Sequence, residues 1–531
     1  MVASSKCLRF VAIATGLLFA AAGMAAPPAD FDARVEAAMK SRDVPGMAIA
    51  IVEDGAVVSA KGYGVRKLGG SAPVDADTIF PTGSTGKAVT AAALAILVDD
   101  GKLGWDDRVI DHLPDFRMQD PWVTREMTVR DLLLHRSGLG LGAGDLLYIP
   151  RTSRSRRDIV RALRDIAPAT SFRSGYAYDN ILYVVAGELV SEVSGEPWEQ
   201  FVRDRIFKPL GMKTAVSDEA DRFATANRAQ PHARLDPRLR GLGKQQVLPE
   251  REGLGQVAAP AGGLAWSAND WGRWMQAQLA LGALPGGGDK RVWSEANARE
   301  MWSPQVPIAI HPYPAPITDI TPQFSSYALG WNVQDYRGVK VLQHGGAVFG
   351  ALAFVVMVPE RKLGIAMQIN SEDVETMRAL GYELLDHYLG FESRDWVTAF
   401  ETWNRERLAG GLAALEGMHA DQRNASQPSL PVAAYAGDYA DRWYGPIAIT
   451  ERDGALRIDF RPTPNMAGTL EHHQYDTFIA RWDDAAIEPA YVTFSLDAEG
   501  KVARITMKAV SPLADFSYDY QDLLFKPVPG D

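Results

Sequence analysis

Strand-like segments stand near both ends of residues 30–390, with helical segments between them. Residues 46–62, GMAIAIVEDGAVVSAKG, have the pattern of two apolar strands around an Asp54-Gly55 turn, which predicts a hairpin. Further strand-like runs occupy residues 339–343, 351–358 and 363–369. Because the helices separate these strands, the order predicts an α+β domain: an antiparallel sheet flanked by helices and completed by distant parts of the chain.

The intervening helical patterns differ in how apolar they are. Residues 84–100, STGKAVTAAALAILVDD, are rich in Ala and Leu and end before Gly101, which predicts a buried helix with a glycine stop. The other helical patterns lie near residues 129–135, 157–166, 180–193, 197–206, 267–281 and 372–388.

The pattern changes after residue 390. Residues 391–431 predict a helical connector followed by a linker, and residues 432–531 are short alternating segments. Hairpin turns are predicted at Asp453-Gly454 and around Glu499-Gly500. We therefore expect a second domain at 432–531, a small antiparallel β-barrel.

The N-terminus has the features of a secretory signal peptide, predicted at residues 1–25. Lys6 and Arg9 precede an apolar run at 10–22, and Gly23-Met24-Ala25 is a small-x-small cleavage signal. The alternatives are a buried helix or a membrane anchor, but the run is short for a span. We expect a periplasmic or secreted protein with no integral membrane span after cleavage.

Composition excludes several classes of chemistry. The only cysteine is Cys7, inside the predicted signal, so the mature chain would lack disulfides, thiolate catalysis and cysteine metal sites. A net charge of −11 argues against nucleic acid as a partner. No HExxH motif or compact acidic and histidine cluster occurs, so we expect no metal and no cofactor.

Ser84 and Lys87 stand three positions apart at the start of the apolar helix. Residues at this spacing share one helix face, so Lys87 would be placed to take the hydroxyl proton if burial lowered its pKa. The simpler alternative is that Ser84 caps the helix and Lys87 points to water.

Two further motifs supply partners for this pair. Tyr178-x-Asn180 precedes an apolar helix, and a tyrosine near an ammonium group should have a lowered pKa and exchange protons with Ser84 and the leaving group. His344-Gly345-Gly346 begins an apolar strand, where glycines let a substrate backbone approach closely. A backbone N–H on that strand, together with that of Ser84, would hold an oxyanion.

In this order the three motifs resemble those of the serine β-lactamase-like hydrolases of the peptidase S12 type. That family includes class C β-lactamases, D-Ala-D-Ala carboxypeptidases, D-aminopeptidases and related esterases. The resemblance extends over residues 78–103, 127–139, 187–212, 260–275 and 327–333. Residues 435–531 resemble the lipocalin-like barrels of some D-amino-acid-directed peptidases in this family.

The resemblance implies roles for individual residues. Ser84 would be the acylated nucleophile, Lys87 and Tyr178 would share proton transfer, and either of them would be the base. Asn180 would orient Lys87 and the substrate amide. The strand residues His344, Gly345, Gly346 and Ala347 would bind substrate, with the N–H groups of Ser84 and Ala347 forming the oxyanion hole.

One departure from the pattern of this family bears on which function is expected. Class C β-lactamases typically have Lys-Thr-Gly where this chain has His344-Gly345-Gly346. The charge and hydroxyl that bind a substrate carboxylate in relatives are thus reduced or missing. We expect an exported serine hydrolase acting on short peptides, most like a D-aminopeptidase or DD-peptidase.

The alternatives are a carboxylesterase, a weak class C-like β-lactamase and, from another class, a penicillin- or peptide-binding protein without turnover. The C-terminal barrel is a candidate homo-oligomerisation surface. The glycine-rich segment 138–144 is predicted to be flexible and to edge the site, and His135 is predicted to be structural.

Overall fold

The computed structural model describes residues 26–250, 254–420, 422 and 426–529. The predicted signal peptide at 1–25 and Cys7 lie outside the described residues. Within them the chain forms a helix-and-sheet domain followed by a closed β-barrel. This is the predicted fold class.

The strands of the first domain include one large sheet and two small pairs. They are β1 (Gly46–Glu53), β2 (Ala56–Gly64), β3 (Phe80–Pro81), β4 (His232–Leu235), β5 (Arg240–Val247), β6 (Ala265–Trp266), β7 (Val306–Pro307), β8 (Ser325–Tyr327), β9 (Asn332–Tyr336), β10 (Val339–Val348), β11 (Ala351–Val358) and β12 (Leu363–Ile369).

The large sheet has eight antiparallel strands in the order β2-β1-β12-β11-β10-β9-β8-β7. The N-terminal hairpin joins the C-terminal strands through β1 and β12, where Met47 pairs with Ile369 and Val52 with Gly364. The prediction of a sheet completed by distant segments is confirmed. The Asp54-Gly55 turn is also confirmed, with both residues at positive φ.

Helices cover both faces of this sheet. They are α1 (Phe31–Ser41), α2 (Lys87–Asp99), α3 (Val109–His112), α4 (Pro121–Glu126), α5 (Arg156–Ala162), α6 (Ile181–Ser194), α7 (Trp198–Val202), α8 (Lys208–Leu210), α9 (Glu219–Ala224), α10 (Ala259–Gly262), α11 (Ala268–Leu279), α12 (Glu295–Met301), α13 (Val374–Leu389) and α14 (Trp396–Ala420). The helical pattern predicted near 129–135 forms only a short 3-10 turn, Arg130–Leu133.

The alternation of strand β1 explains the two cores. Ala48, Ala50 and Val52 face a core that includes the side chains of α2, α6 and α11. Met47, Ile49 and Ile51 face the opposite core, with α1 and α13. Successive strand residues point to opposite faces, so a strand with every residue apolar is stable only when both faces are covered.

The second domain is a closed antiparallel barrel connected through α14. Its strands are β13 (Gly437–Asp441), β14 (Gly445–Arg452), β15 (Ala455–Asp459), β16 (Ala467–Gln474), β17 (Thr477–Trp482), β18 (Ala490–Leu496), β19 (Val502–Ala509) and β20 (Leu524–Pro527). The predicted hairpins at Asp453-Gly454 and Glu499-Gly500 join β14 to β15 and β18 to β19.

The connection between β19 and β20 packs against the first domain. Its Asp519 carboxylate accepts hydrogen bonds from the backbone N–H groups of Gly144, at 2.7 Å, and Leu146, at 3.0 Å. A Cβ atom on Gly142 would lie 2.5 Å from the carbonyl oxygen of Phe516. The glycine-rich segment 138–144 is therefore in direct contact with the barrel, and Gly142 also donates to the Tyr178 carbonyl at 2.9 Å.

Candidate active site

Ser84 lies on a 3-10 turn, Gly83–Gly86, immediately before α2. The chain enters the turn from β3, which pairs with β6, and the Thr85 hydroxyl donates to the Thr82 carbonyl at 2.8 Å. Ser84 does not cap the helix. The turn leaves the Ser84 hydroxyl at the edge of a cleft, one turn away from the first residue of α2.

Lys87 is that first residue, and its side chain is completely buried. Its Nζ is 3.0 Å from Ser84 Oγ, 2.6 Å from Asn180 Oδ1 and 2.8 Å from the Ala261 carbonyl oxygen. The alternative in which Lys87 points to water is wrong. Burial lowers the pKa of Lys87 to about 7, against the opposing charges of Asp145 and Asp179.

The three contacts of Lys87 are compatible with a neutral amine, the form that its lowered pKa makes available. A neutral amine has two N–H donors and one lone pair. The Asn180 and Ala261 oxygens can only accept, so they take both donors. The lone pair is then left for the third neighbour, the Ser84 hydroxyl. In this form Lys87 is placed to accept the proton of Ser84.

Tyr178 is the second neighbour of the nucleophile. It shares a hydrogen bond with Ser84, and its ring centroid is 4.9 Å from Lys87 Nζ. The predicted lowering of its pKa is wrong: burial raises the pKa of Tyr178 well above its usual range, and the hydrogen bond with Ser84 only partly opposes this. Desolvation of the phenolate outweighs the nearby amine, so Tyr178 stays a phenol and Lys87 is the better proton acceptor.

The side chain of Asn180 joins Lys87 to a group that the sequence did not reveal. Asn180 stands at the N-terminus of α6, and its Nδ2 donates to Asp145 Oδ2 at 2.7 Å. Asp145 is fully buried, and burial raises its pKa to about 7. The available signal was a lone acidic residue between a glycine-rich segment and an apolar run, GAGDLLYIP.

His344 lies on β10 and lines the cleft, but it adds no positive charge. Burial lowers the pKa of His344 to about 3, assisted by the charge of Lys87. Its Nδ1 donates to the Gly345 carbonyl at 2.6 Å, and its Nε2 accepts from the Tyr327 hydroxyl at 2.9 Å. The imidazole therefore replaces neither the charge nor the hydroxyl of a Lys-Thr pair.

Glycines allow β10 and the nucleophile turn to pack in direct contact. A Cβ on Gly346 would lie 2.1 Å from the Thr82 carbonyl oxygen and 3.1 Å from the Ser84 nitrogen. Gly83 has φ +52°, and its Cβ would lie 2.5 Å from the Ala347 nitrogen. The backbone segments of the two predicted oxyanion donors, Ser84 and Ala347, are thus neighbours because side chains are absent between them.

The predicted site residues converge on one cleft of about 620 Å³. Ser84, Tyr178, Asn180 and residues 344–347 line it, and Lys87 lies buried behind Ser84. Two further parts of the cleft lining were not predicted from the sequence. Arg378 of α13 lies beside Gly345, where its Nη2 would be 3.7 Å from a Cβ on that residue, and residues 515–518 of the barrel also line the cleft.

Three further features concern metal binding, membrane-spanning helices and the position of His135. In residues 26–250, 254–420, 422 and 426–529, no group of three or more His, Cys, Asp or Glu side chains is arranged to hold a metal ion. Over the same residues, no helix combines the length and apolar character needed to cross a bilayer. His135 is buried within a cage of aromatic rings, with its ring centroid 4.2 Å from that of Tyr178.

Comparison with known families and sequences gives matches over both domains. Residues 31–389 match the Beta-lactamase family, and residues 421–527 match a domain of unknown function, DUF3471. The chain is 29% identical to "Unguisins hydrolase ungD" of Aspergillus violaceofuscus, over 85% of this chain and 82% of that protein. It is 30% identical to "Unguisins hydrolase ungD'" of Aspergillus campestris, over 79% of this chain and 77% of that protein. It is also 30% identical to "Penicillin-binding protein 4" of Amycolatopsis lactamdurans, over 64% of this chain and 85% of that protein.

Solved structures share the two-domain fold at low sequence identity. The octameric penicillin-binding protein homologue from Pyrococcus abyssi superposes with a TM-score of 0.59 at 20% identity, over 94% of this chain and 99% of that one. SurE superposes with a TM-score of 0.54 at 21% identity, over 94% of this chain and 98% of that one.

Proposed function

Because the chain belongs to the beta-lactamase family and is a serine hydrolase, we propose that it cleaves an amide or ester bond through an acyl-enzyme on Ser84. The observation that supports this most directly is the environment of Lys87. In the neutral form of Lys87 its two donors serve Asn180 and Ala261, which leaves its lone pair for Ser84 Oγ, 3.0 Å away. A buried amine with a pKa near neutrality is the type of base that a serine nucleophile requires.

In the proposed acylation step, Ser84 Oγ attacks the substrate carbonyl carbon while its proton passes to Lys87. The carbonyl oxygen becomes an oxyanion, which the backbone N–H groups of Ser84 and Ala347 stabilise. As the carbon–nitrogen or carbon–oxygen bond breaks, the Tyr178 phenol donates a proton to the leaving group and recovers one from Lys87. The raised pKa of Tyr178 keeps the phenol protonated, so its proton is present when the leaving group departs.

Deacylation reverses these roles with water as the nucleophile. Water gives a proton to the same amine–phenol pair and adds to the acyl carbon. The carbon–Oγ bond breaks, Ser84 regains a proton, and a carboxylic acid leaves. The enzyme returns to its starting state with no cofactor consumed.

We propose short peptides, of the D-aminopeptidase or DD-peptidase type, as the substrate class. Neutral His344 lacks the cationic charge that a β-lactam carboxylate would need at that strand. Arg378 offers a different cation: its guanidinium lines the cleft and lies over the Phe354 ring. A peptide carboxylate bound there would extend along β10 with its scissile carbonyl near Ser84.

A turnover panel on the purified protein tests the proposal. It contains a chromogenic cephalosporin, a short-chain ester, a D-alanine anilide and a D-Ala-D-Ala peptide, with Ser84→Ala as the control. Cleavage of the anilide or peptide above the ester and cephalosporin is the expected result. Preference for the ester supports a carboxylesterase, and preference for the cephalosporin supports a β-lactamase. Full turnover by Ser84→Ala would refute the mechanism.

Intact mass after exposure to a β-lactam distinguishes turnover from binding. A transient adduct on Ser84 is expected of a hydrolase. A lasting stoichiometric adduct, without turnover of any member of the panel, would instead support a penicillin-binding protein.

Export and assembly are part of the same proposal. The secretory features of residues 1–25 favour a periplasmic or secreted enzyme, which N-terminal sequencing of the mature protein checks. Self-association through the barrel is proposed as well. Light scattering that gives a monomer mass across a wide concentration range would exclude it.

A further inference from the structure

Asp145 is the most heavily hydrogen-bonded acid near the nucleophile, and the mechanism above assigns it no role. Its Oδ1 accepts from the Tyr148 hydroxyl at 2.6 Å. Its Oδ2 accepts from Asn180 Nδ2 at 2.7 Å and from the Ser517 hydroxyl at 2.8 Å. The side chain is fully buried. A buried carboxylate is costly unless its oxygens are paired, and this one is paired on both.

Asp145 determines which way the Asn180 carboxamide points. With Nδ2 directed at the carboxylate, Oδ1 is directed at Lys87 Nζ, 2.6 Å away. The flipped amide would place its oxygen against the carboxylate, which is a repulsive pairing, and its N–H₂ against the amine, where it would compete with Ser84 for the lone pair. The Asp145 charge therefore fixes the acceptor that takes one N–H of Lys87, and leaves the lone pair for Ser84.

The barrel domain holds Asp145 in place. Ser517 contacts its carboxylate directly, across 372 positions of sequence. Asp519 binds the backbone N–H groups of Gly144 and Leu146, the two residues that flank Asp145. Phe516 from the same loop packs edge-on against the Tyr178 ring, with centroids 5.7 Å apart. One loop of the barrel thus touches the positioning acid, its flanking backbone and the tyrosine.

We propose that Asp145 is a positioning residue for the Ser84 reaction and that the barrel loop formed by residues 515–519 holds Asp145 in place. The barrel is then a structural part of the active site. This inference rests on the proposed function, because it concerns the same nucleophile. It assigns the barrel a role beyond self-association. The charged and titratable groups facing Asp145 are Tyr148, Lys87, Tyr178 and Asp519.

The test uses the full chain and an alkyl fluorophosphonate, so that it does not depend on the natural substrate. Ser84 Oγ forms a bond to phosphorus, the phosphorus–fluorine bond breaks, fluoride leaves, and the hydroxyl proton passes to Lys87. The rate constant of labelling, measured by intact mass, reports the activation of Ser84. Ser84→Ala is the blank.

Four variants separate positioning from folding. Asp145→Asn removes the charge at constant volume, Ser517→Ala removes one donor, and Ser517→Thr keeps that donor. Ser511→Ala is the control from the same barrel connection, since its hydroxyl accepts from Leu513 N–H at 3.1 Å and has no bond to Asp145. Thermal unfolding of each variant measures folding independently.

We expect Ser517→Ala to slow labelling roughly 10-fold, because a hydrogen bond to a charged acceptor is lost. Ser517→Thr should recover most of that loss, and Ser511→Ala should stay within about 2-fold of the parent. Asp145→Asn should slow labelling at pH 8 at least 10-fold and move the acid limb of the pH profile to lower pH. The sign follows because the Asp145 charge raises the pKa of Lys87, and its removal lets the neutral amine persist further into acid.

The results distinguish a failure of the proposed function from a failure of the Asp145 and barrel-loop proposal. If the parent is not labelled, or if Ser84→Ala is labelled equally, the proposed function fails. If labelling requires Ser84 but Ser517→Ala, Ser517→Thr and Ser511→Ala share one rate, the barrel loop does not position the site. If Asp145→Asn fails to fold, the comparison of Ser517→Ala with Ser517→Thr still decides. An unchanged rate and pH profile in a folded Asp145→Asn protein would overturn the role of Asp145.

Discussion

The cleft has two walls that differ in burial, in polarity and in the domain from which they come. The catalytic wall, formed by Ser84, Lys87 and Asn180, comes from the first domain and has its amine and carboxamide buried and fully hydrogen-bonded. The barrel wall is the exposed part of residues 515–518, namely Phe516, which is 38% exposed while Ser517 and Tyr518 are buried. A preorganised buried wall suits proton transfer, and an exposed aromatic wall suits contact with the variable part of a substrate. Substitutions at Lys87 and at the exposed Phe516 should therefore separate reactivity from selectivity.

Removing the amine should have the largest effect on the catalytic wall. Lys87→Met keeps the apolar stem but has no lone pair for the Ser84 proton. General base catalysis contributes typically about 10²–10⁴-fold, so kcat/KM on the best substrate should fall by at least about 10²-fold. Steady-state kinetics at pH 8 measure this. A Lys87→Met enzyme within 10-fold of the parent would show that another group takes the proton.

A matched pair of glycine variants tests the backbone contact behind that wall. Gly346→Ala places a Cβ 2.1 Å from the Thr82 carbonyl oxygen, which forces β10 away from the nucleophile turn. The loss of one oxyanion donor typically costs about 10²–10³-fold in kcat. Gly345→Ala is the control, because its Cβ meets only Arg378 Nη2, at 3.7 Å. Equal kcat values for the two variants would contradict the proposed oxyanion site.

Lowering the pH should reduce activity gradually, because it protonates Lys87. Lys87 is active when neutral, and burial lowers its pKa to about 7. Below that pH the neutral fraction falls about 10-fold per pH unit, so kcat/KM should rise with pH and level off above neutrality. A pH–rate profile on a non-ionising ester measures this. An acid limb centred near pH 10 would show that the amine is not desolvated in solution.

Arg378 should affect binding more than chemistry. If its guanidinium binds a peptide carboxylate, Arg378→Ala should raise KM about 10-fold for a substrate with a free C-terminus, while kcat changes less. The matched control is the same peptide with an amidated C-terminus, for which the parent and variant should have similar KM values. Equal sensitivity of both peptides would assign Arg378 to packing against Phe354, over which its guanidinium lies.

The smallest effect is expected at the barrel wall. Phe516→Ala shortens an exposed side chain that also contacts the Tyr178 ring. We expect KM values across a set of peptides to shift by about 3- to 10-fold, with kcat reduced far less than in Lys87→Met. The ratio of kcat/KM values between two peptides of different side-chain size measures the effect. A uniform loss of kcat would place Phe516 with the catalytic wall instead.

The nearest-neighbour features of the site were predictable because local geometry fixes them. Three positions at a helix start place Ser84 and Lys87 on one face, and the burial of Lys87 then brings its Nζ to 3.0 Å from Ser84 Oγ. The three motifs also converge as predicted, around one cleft. The tyrosine pKa was not predictable, because charge proximity and desolvation oppose each other and only burial decides between them.

The sequence by itself determined the 46–62 hairpin, the strands near 351–358 and 363–369 and the long apolar helices, since alternation and apolar content are local properties. Only the tertiary structure decided that Asp145 meets Ser517, that Arg378 lies beside Gly345 and that His344 is a neutral group. The physical reason is that a side chain's charge state and hydrogen-bond partners depend on the atoms around it. Those atoms come from segments whose sequence separation contains no information about their distance in space.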